Sequence, residues 1–586
     1  MKPGIAFPDY IQTEKLKRSS GLRAYLLPLL LFLVVAILFA RLFFLQVIRG
    51  IYYRYLADGN RIKTIIVHAQ RGDILDRNGI PLVFNTPGFR ETINGKVRVI
   101  DNREALSLIA QGKKDLEVES LRSYPYKEIL AHTLGYVGQI SEDTLKKPEF
   151  TDYRAGDLVG KIGIEQKYER DLKGINGKRL VEVDSVGKVI RKLGQTDATA
   201  GYNINLTIDI GLQKTVYAAM KGVKKGAAIV SNSTGEILAL VSKPSFDPNL
   251  FTQGEAYTVQ LNSPYASLTQ VLTDQENQPL VNRAISGAYP PGSTFKLIVA
   301  AAGLENHIID ENFVVEDTGI LKVREFSFSN WYFTKYGKTE GLINVVKAIK
   351  RSNDIFFYKV SEKIGVDKIS SNAEKFGVGK RLGIDLGEEE EGLLPTVSWK
   401  EKTIKEKWFL GDTYHYGIGQ GYLLATPLQV NMWASVIANE GVLYKPHLLK
   451  SQISSVSRRI KSQKFLSGKT VSLIRQGMIE SCSSEGVAWP LFEFRIKNLE
   501  LRIDGKNFKE VPASSGSAEM REISIACKTG TAEHGGEKTL PHAWITLFAP
   551  AFDPQIVVTV LSEESGEGSN VAAPIAKKIL EEWFGR

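Results

Sequence analysis

The sequence predicts an α+β fold, and three observations carry that prediction. Strand-like runs come early, at Ala227 to Ser231 and Glu236 to Ser242, and again late, at Ser524 to Thr531, Ala543 to Phe548 and Ile556 to Ser562. Between them the pattern is helical, as in Lys296 to Glu305, an almost wholly apolar run that reads as a buried helix. Strands at both ends of one segment, with helices between, imply a single antiparallel sheet whose sequence ends meet and on which the helices pack.

Taken in order, the chain begins with a basic tail carrying Lys15, Lys17, Arg18 and Arg23, followed by an apolar run from Ala24 to Leu45 broken only by Arg41. At 1.5 Å per residue such a run crosses a hydrocarbon core of about 30 Å. The basic flank keeps the tail in the cytoplasm, which places everything after about residue 50 outside. The residues after Arg41 are bulky, not the small residues of a cleavage site, so the segment is expected to remain as an anchor. From 51 to 204 the chain is rich in glycine and charge, with strand-like pieces at Lys63 to Val67 and Arg179 to Val183, and carries no cluster of catalytic type. From 205 the two early strands are joined by the turn Asn232-Ser233-Thr234-Gly235, and Ala573 to Phe584 closes the chain as an amphipathic helix. The expected division is a tail at 1–23, an anchor at 24–46, a second region at 51–204 and a third domain at 205–586.

Composition narrows the function. The chain has 586 residues, 43% of them hydrophobic, which is globular. The net charge of +10 is spread along the sequence and the chain reads as extracytoplasmic, so no nucleic-acid partner is expected; anionic envelope polymers or lipid headgroups suit it better. Seven histidines are scattered without ligand spacing, so neither a metal nor another cofactor is expected. His534, the histidine next to a lysine-bearing strand, reads as a polar loop residue. Two cysteines, Cys482 and Cys527, allow one disulfide but no framework, and Cys527 reads as a small core residue on the strand face opposite Lys528. The acidic run Glu388 to Glu391 reads as a solvated loop. The stretch around 489–520 reads as an insertion, with a hairpin expected from Arg495 to Lys509.

Chemistry enters at Ser293-Thr294-Phe295-Lys296. The breakers Pro290, Pro291 and Gly292 precede it and the buried helix follows, so Ser293 stands at a helix N-terminus with Lys296 on the same face. A serine hydroxyl attacks an acyl carbonyl once a base takes its proton. A lysine becomes that base when burial and the helix dipole lower its pKa from about 10.4. A capping serine beside a solvated lysine is the plainer reading of this common pattern. Two further elements oppose it. Lys528-Thr529-Gly530-Thr531 follows a strand, with Lys528 able to project toward the serine, Gly530 leaving room for an extended substrate, and the Thr531 amide placed to donate to an oxyanion. Ser352-Asn353-Asp354 supplies a second hydroxyl and a polar partner. The order Ser-x-x-Lys, Ser-x-Asp, Lys-Thr-Gly, spaced by about 60 and then about 175 residues, is a signature of penicillin-interacting serine acyltransferases.

At these residues the chain resembles the class B penicillin-binding proteins. Arg71-Gly72-Asp73-Ile74-Leu75-Asp76-Arg77-Asn78-Gly79, Gly163-Ile164-Glu165-Gln166 with Tyr168-Glu169, Asn282-Arg283-Ala284, and the segment from Gly417 to Gln429 are similar to further blocks of that family. Asp354, where division-type members usually carry Asn, and Trp399-Lys400, Trp408 and Gly411-Asp412-Thr413 look like the elongation-type branch.

The resemblance implies a penicillin-binding transpeptidase fold, a central antiparallel sheet with helices on both faces. Before it would stand an extended β-rich pedestal at 51–204, which holds the catalytic domain off the membrane and meets partners. It implies a peptidoglycan D,D-transpeptidase of the bacterial cytoplasmic membrane that crosslinks stem peptides and is acylated by β-lactams. Ser293, Lys296, Ser352, Asp354 and Lys528 form the implied catalytic set, and Thr529, Gly530 and Thr531 bind substrate. Partners implied are a multi-spanning, SEDS-type glycosyltransferase and other cell-wall synthesis proteins. A serine β-lactamase or D,D-carboxypeptidase would share these residues, and a division-type role is the other branch. No water-activating carboxylate is evident for a β-lactamase, and the single apolar span argues against a penicillin-sensing receptor.

Overall fold

The computed structural model describes residues 23–585 apart from 94–95, 101, 114–115, 185–187, 254–256, 262, 451–459, 493, 498–519 and 536–538. Two compact units result, one holding residues up to His68 with Asn176–Ala198, the other Ala69–Ile175 with Thr199–Arg586.

In the first unit a helix over Arg23–Phe43 runs on through a π-helical turn at Phe44–Ile48. The span Leu26–Ile48 is long and apolar enough to cross a membrane. Its side chains are largely exposed, with Leu27 at 75% and Phe32 at 71%. A helix over Gly50–Arg61 follows. Strand Ile62–Val67 then pairs antiparallel with Gly177–Val183, which pairs with Val189–Thr196. The two strand pieces anticipated at 63–67 and 179–183 are thus partners of each other.

The second unit is organised by a five-stranded antiparallel sheet of β1 (Gly226–Ser231), β2 (Ile237–Lys243), β3 (Ala526–Ala532), β4 (His542–Ala549) and β5 (Ile556–Ser562), in the order β2-β1-β5-β4-β3. Early and late strands meet where β1 pairs with β5, as the sequence predicts. Helix α1 (Ile210–Ala219) lies on one face of the sheet. Five more helices, α2 (Lys296–Glu305), α3 (Val345–Arg351), α4 (Asp354–Ile364), α5 (Pro427–Ala438) and α6 (Gly468–Ser481), gather on the other side. The last helix, α7 (Ala572–Gly585), returns to the first face. Period-2 alternation separates the two cores: Ala227 and Ile229 join the core of α2 to α6, while Ala228 and Val230 join that of α1 and α7.

Two motifs far apart in sequence converge before the sheet begins. Arg71 donates to Glu165 at 2.6 Å and to Glu169 at 2.7 Å, and Arg122 donates to Glu165 at 2.7 Å. Glu165 is fully buried; burial alone would raise its pKa, but Arg122 and Arg71 hold it below the ordinary carboxylate range. Tyr168 donates to Asp385, whose carboxylate also accepts the Leu448 and Leu449 amides.

Three expectations are refined. Cys482 and Cys527 form a disulfide with Cα atoms 6.0 Å apart, and Cys527 packs in the core of α1 and α7 as its strand parity requires. The acidic run is not wholly solvated, because Glu389 is buried and accepts the Leu382 amide at 2.6 Å and the Gly383 amide at 2.8 Å. The hairpin expected from Arg495 to Lys509 falls mostly outside the described residues, and its first stretch, Arg495–Lys497, pairs instead with Met520–Glu522.

Candidate active site

Ser293 stands on a 3-10 turn over Gly292–Thr294 that runs directly into α2. It is half-buried, whereas Thr294, Phe295 and Lys296 behind it are buried. The turn is fastened from outside. Gly292 donates to the Gly419 carbonyl at 2.9 Å, Trp544 Nε1 to the Pro290 carbonyl at 3.1 Å, and Tyr289 and Ala425 exchange a pair of backbone bonds. Gly419 has φ of +79°, and a Cβ there would lie 2.0 Å from the Gly292 carbonyl oxygen. The Gly417–Gln429 segment therefore forms the backing of the serine turn.

Lys296 is fully buried on the first turn of α2. Its Nζ donates to Asp354 Oδ1 at 2.6 Å, to the Ser352 carbonyl at 2.8 Å and to Ser352 Oγ at 3.4 Å. Among the described residues it makes no hydrogen bond to Ser293. Burial lowers its pKa, and Asp354 opposes that only in part.

Ser352 caps the C-terminus of α3 in the left-handed conformation, at φ of 52°. That kink turns the chain toward α4, so Ser352 and Asp354 both reach Lys296. Lys528, fully buried on β3, donates to Ser352 Oγ at 2.9 Å and to the Thr529 carbonyl at 2.8 Å. Its pKa falls well below the ordinary value, first through burial and then through the nearby Lys296 charge, with Asp354 acting against both. Two lysines thus flank one hydroxyl within the field of one carboxylate, which among the described residues is ion-paired to Lys296 alone, an arrangement that favours a single positive charge between them.

β3 is the edge strand of its sheet, with Thr529 buried and Thr531 exposed. Gly530 differs from the expectation. A Cβ there would meet the Pro291 carbonyl oxygen at 2.9 Å and Thr294 Cγ2 at 3.1 Å, so the room it leaves is taken by the serine turn. The strand edge beyond it is where an extended peptide could add by main-chain bonding.

Several residues that support the site carry no sequence signal. Asp317, buried at the end of the short strand Val315–Asp317, accepts hydrogen bonds from the Gly319 and Glu340 amides and from the Asn330 and Asn353 side chains, at 2.9 to 3.0 Å. Asn330 accepts the Asp354 amide at 3.2 Å, and Asp354 Oδ2 accepts the Trp331 amide at 2.9 Å. Isolated Asp and Asn residues in an irregular segment look like loop polarity until the fold converges them. His534 is also not the sole histidine nearby: His542, paired with Ala532 across β3 and β4, stacks on it at 3.9 Å. Burial, and then His534, push the His542 pKa down to about 4.

A half-buried serine at the start of a buried helix, two buried lysines and a strand edge are the groups that serine acyl transfer requires. Residues 226–581 match the family model described as the penicillin binding protein transpeptidase domain, and 113–206 match the penicillin-binding protein dimerisation domain; the chain belongs to the penicillin-binding protein transpeptidase family. It is similar to the peptidoglycan D,D-transpeptidase MrdA of Escherichia coli K12, with 32% identity over 99% of this chain and 96% of that one. It is likewise similar to MrdA of Haemophilus influenzae, with 32% identity over 98% of this chain and 93% of that one. Among solved structures, Pseudomonas aeruginosa PBP2 in complex with WCK 5153 aligns with a TM-score of 0.68 and 30% identity, over 89% of this chain and 96% of that one. Helicobacter pylori PBP2 in its complex with MreC aligns with a TM-score of 0.72 and 27% identity, over 89% and 98%.

Proposed function

We propose that this protein is a membrane-anchored peptidoglycan D,D-transpeptidase of the elongation-type branch, with Ser293 as nucleophile. The observation that carries the reading is the bonded chain Lys296–Ser352–Lys528 behind the half-buried Ser293 turn.

Ser293 Oγ attacks the penultimate D-Ala carbonyl of a stem peptide while Lys296, in its neutral form, takes its proton; burial lowers its pKa and so favours that form, against the pull of Asp354. The Ser293 and Thr531 amides hold the oxyanion, and Thr529 and Thr531 hold the donor's terminal carboxylate. The tetrahedral intermediate collapses to the acyl-enzyme, and the departing D-Ala amine takes a proton relayed through Ser352 and Lys528. An amine from a neighbouring stem then attacks the ester, giving the crosslink and releasing Ser293. Asp354 orients Lys296 throughout.

The division proposed is a cytoplasmic tail at 1–23, an anchor at 24–46, a pedestal at 51–204 and a transpeptidase domain at 205–586. The dimerisation-domain match at 113–206 and the apolar span support it. The basic flank supports a catalytic domain outside the cytoplasmic membrane. Partners proposed are a multi-spanning glycosyltransferase and a protein like the MreC in complex with Helicobacter pylori PBP2, supported by similarity to a chain of a peptidoglycan synthase complex that coordinates polymerization and crosslinking.

The test is incubation of purified protein with a fluorescent penicillin, beside Ser293→Ala. A persistent covalent adduct on the native protein alone is expected. Turnover of the label within seconds would make the protein a β-lactamase, and labelling of Ser293→Ala would displace Ser293 as nucleophile. Depletion in the source cell separates the branches: rounding supports elongation, filamentation supports division.

A further inference from the structure

The Cys482–Cys527 disulfide joins two parts of the site that sequence keeps apart. Cys527 immediately precedes Lys528 on β3, and strand alternation sends its sulfur into the core while the Lys528 side chain points to Ser352. Cys482 is the C-cap of α6. That helix lies tightly on α3, because Gly477 lacks the Cβ that would otherwise come within 2.7 Å of Ile349 Cβ. α3 ends at Ser352. A closed circuit follows: Ser352, α3, α6, the disulfide, Lys528, and back to Ser352 through the 2.9 Å hydrogen bond. Between the two cysteines, 45 positions apart, Ala488, Leu491 and Phe494 join the core that holds Cys527, and Arg495–Lys497 pairs with Met520–Glu522, so the disulfide is a direct covalent shortcut from the end of α6 to the residue before Lys528.

We propose that Cys482 and Cys527 are positioning residues for acyl transfer, their disulfide fixing Lys528 against Ser352, so that the acylation step responds to the thiol–disulfide state of the protein. This rests on the transpeptidase reading. Reduction is a two-electron exchange: a dithiol attacks one sulfur, the Cys482–Cys527 bond breaks, both cysteines leave as thiols carrying two protons, and the reagent closes its own disulfide. Loosening Lys528 by a fraction of an ångström weakens the proton relay without removing any group from it.

The test uses the full-length protein in detergent with a fluorescent penicillin at 25 °C. Acylation rate constants and non-covalent affinity are measured for the oxidised form, the dithiothreitol-reduced form, a re-oxidised sample and the Cys482→Ala/Cys527→Val variant, with thiol alkylation reporting the redox state. The expected result is a fall of about tenfold in the acylation rate constant on reduction and in the variant, with affinity little changed and the rate restored on re-oxidation. The variant should not respond to dithiothreitol. A bond that serves stability alone would lower the melting temperature and leave the rate constant at 25 °C unchanged, which overturns the proposal. So does a variant that fails to fold while the native bond resists reduction, since the bond is then a requirement of folding. If the oxidised protein is not labelled at Ser293 at all, it is the transpeptidase reading that fails.

Discussion

Lys528 Nζ lies 2.9 Å from Ser352 Oγ, a hydrogen bond between residues 176 positions apart, and Lys296 Nζ approaches the same oxygen at 3.4 Å. The hydroxyl is thereby bracketed by two lysine amines in a site where burial disfavours charge on either. The proposed proton relay through Ser352 rests on that bracket.

Removing one end of it should stop the chemistry. Lys528→Ala is expected to lower the second-order rate of penicillin acylation by about 10²-fold or more, the range that general acid–base groups supply. Stopped-flow labelling measures it. A rate within a factor of two of native would show that Lys528 is not in the relay.

The lowered lysine pKa values set a pH dependence. In the proposed mechanism the catalytic form of Lys296 is neutral, so acylation should rise with pH through an inflection below the ordinary lysine value of about 10.4 and fall away on the acid side. The same groups bind fewer protons folded than unfolded. Between their lowered folded pKa and about 10.4, stability should therefore increase with pH. Rate profiles and thermal melts taken over this window check both signs.

Backing of the nucleophile turn is tested at Gly419→Ala. With φ of +79° and a Cβ 2.0 Å from the Gly292 carbonyl, the substitution forces the turn to move. Acylation should drop by about 10²-fold, as a misplacement near 1 Å does elsewhere, with a lower melting temperature. Gly468→Ala, where a Cβ meets nothing within 4 Å, should leave both unchanged.

Support of the middle motif is tested at Asp317→Ala. Four donors lose their acceptor, and each stranded buried donor costs about 1–3 kcal/mol. A large fall in melting temperature is expected, with slower acylation in the fraction that stays folded, because Asn353 and Asn330 then hold Ser352 and Asp354 less firmly.

Away from the site, Arg122→Met strips one cation from the fully buried Glu165. About 3–5 kcal/mol of stability should be lost, while the folded protein is acylated at the native rate. Calorimetry and labelling at 20 °C separate the two effects.

Local chemistry in the sequence was enough for the sheet, the apolar N-terminal helix, the serine helix and the three motifs whose residues the structure brings together. Alternation places strands, apolar length marks a membrane span, and a breaker pair before an apolar run starts a helix. It could not say that Lys63–Val67 and Arg179–Val183 pair, that Gly530 yields its space to the serine turn, or that Glu389 is buried, since each depends on which distant segment arrives opposite. The same holds for Asp317, whose four donors come from separate loops, and for the disulfide, which two cysteines permit but do not require. The sequence by itself determined which residue types do the work and in what order. Only the tertiary structure decided which of them share a hydrogen bond, because such a bond is fixed by distances of a few tenths of an ångström and those are set by packing of the whole domain.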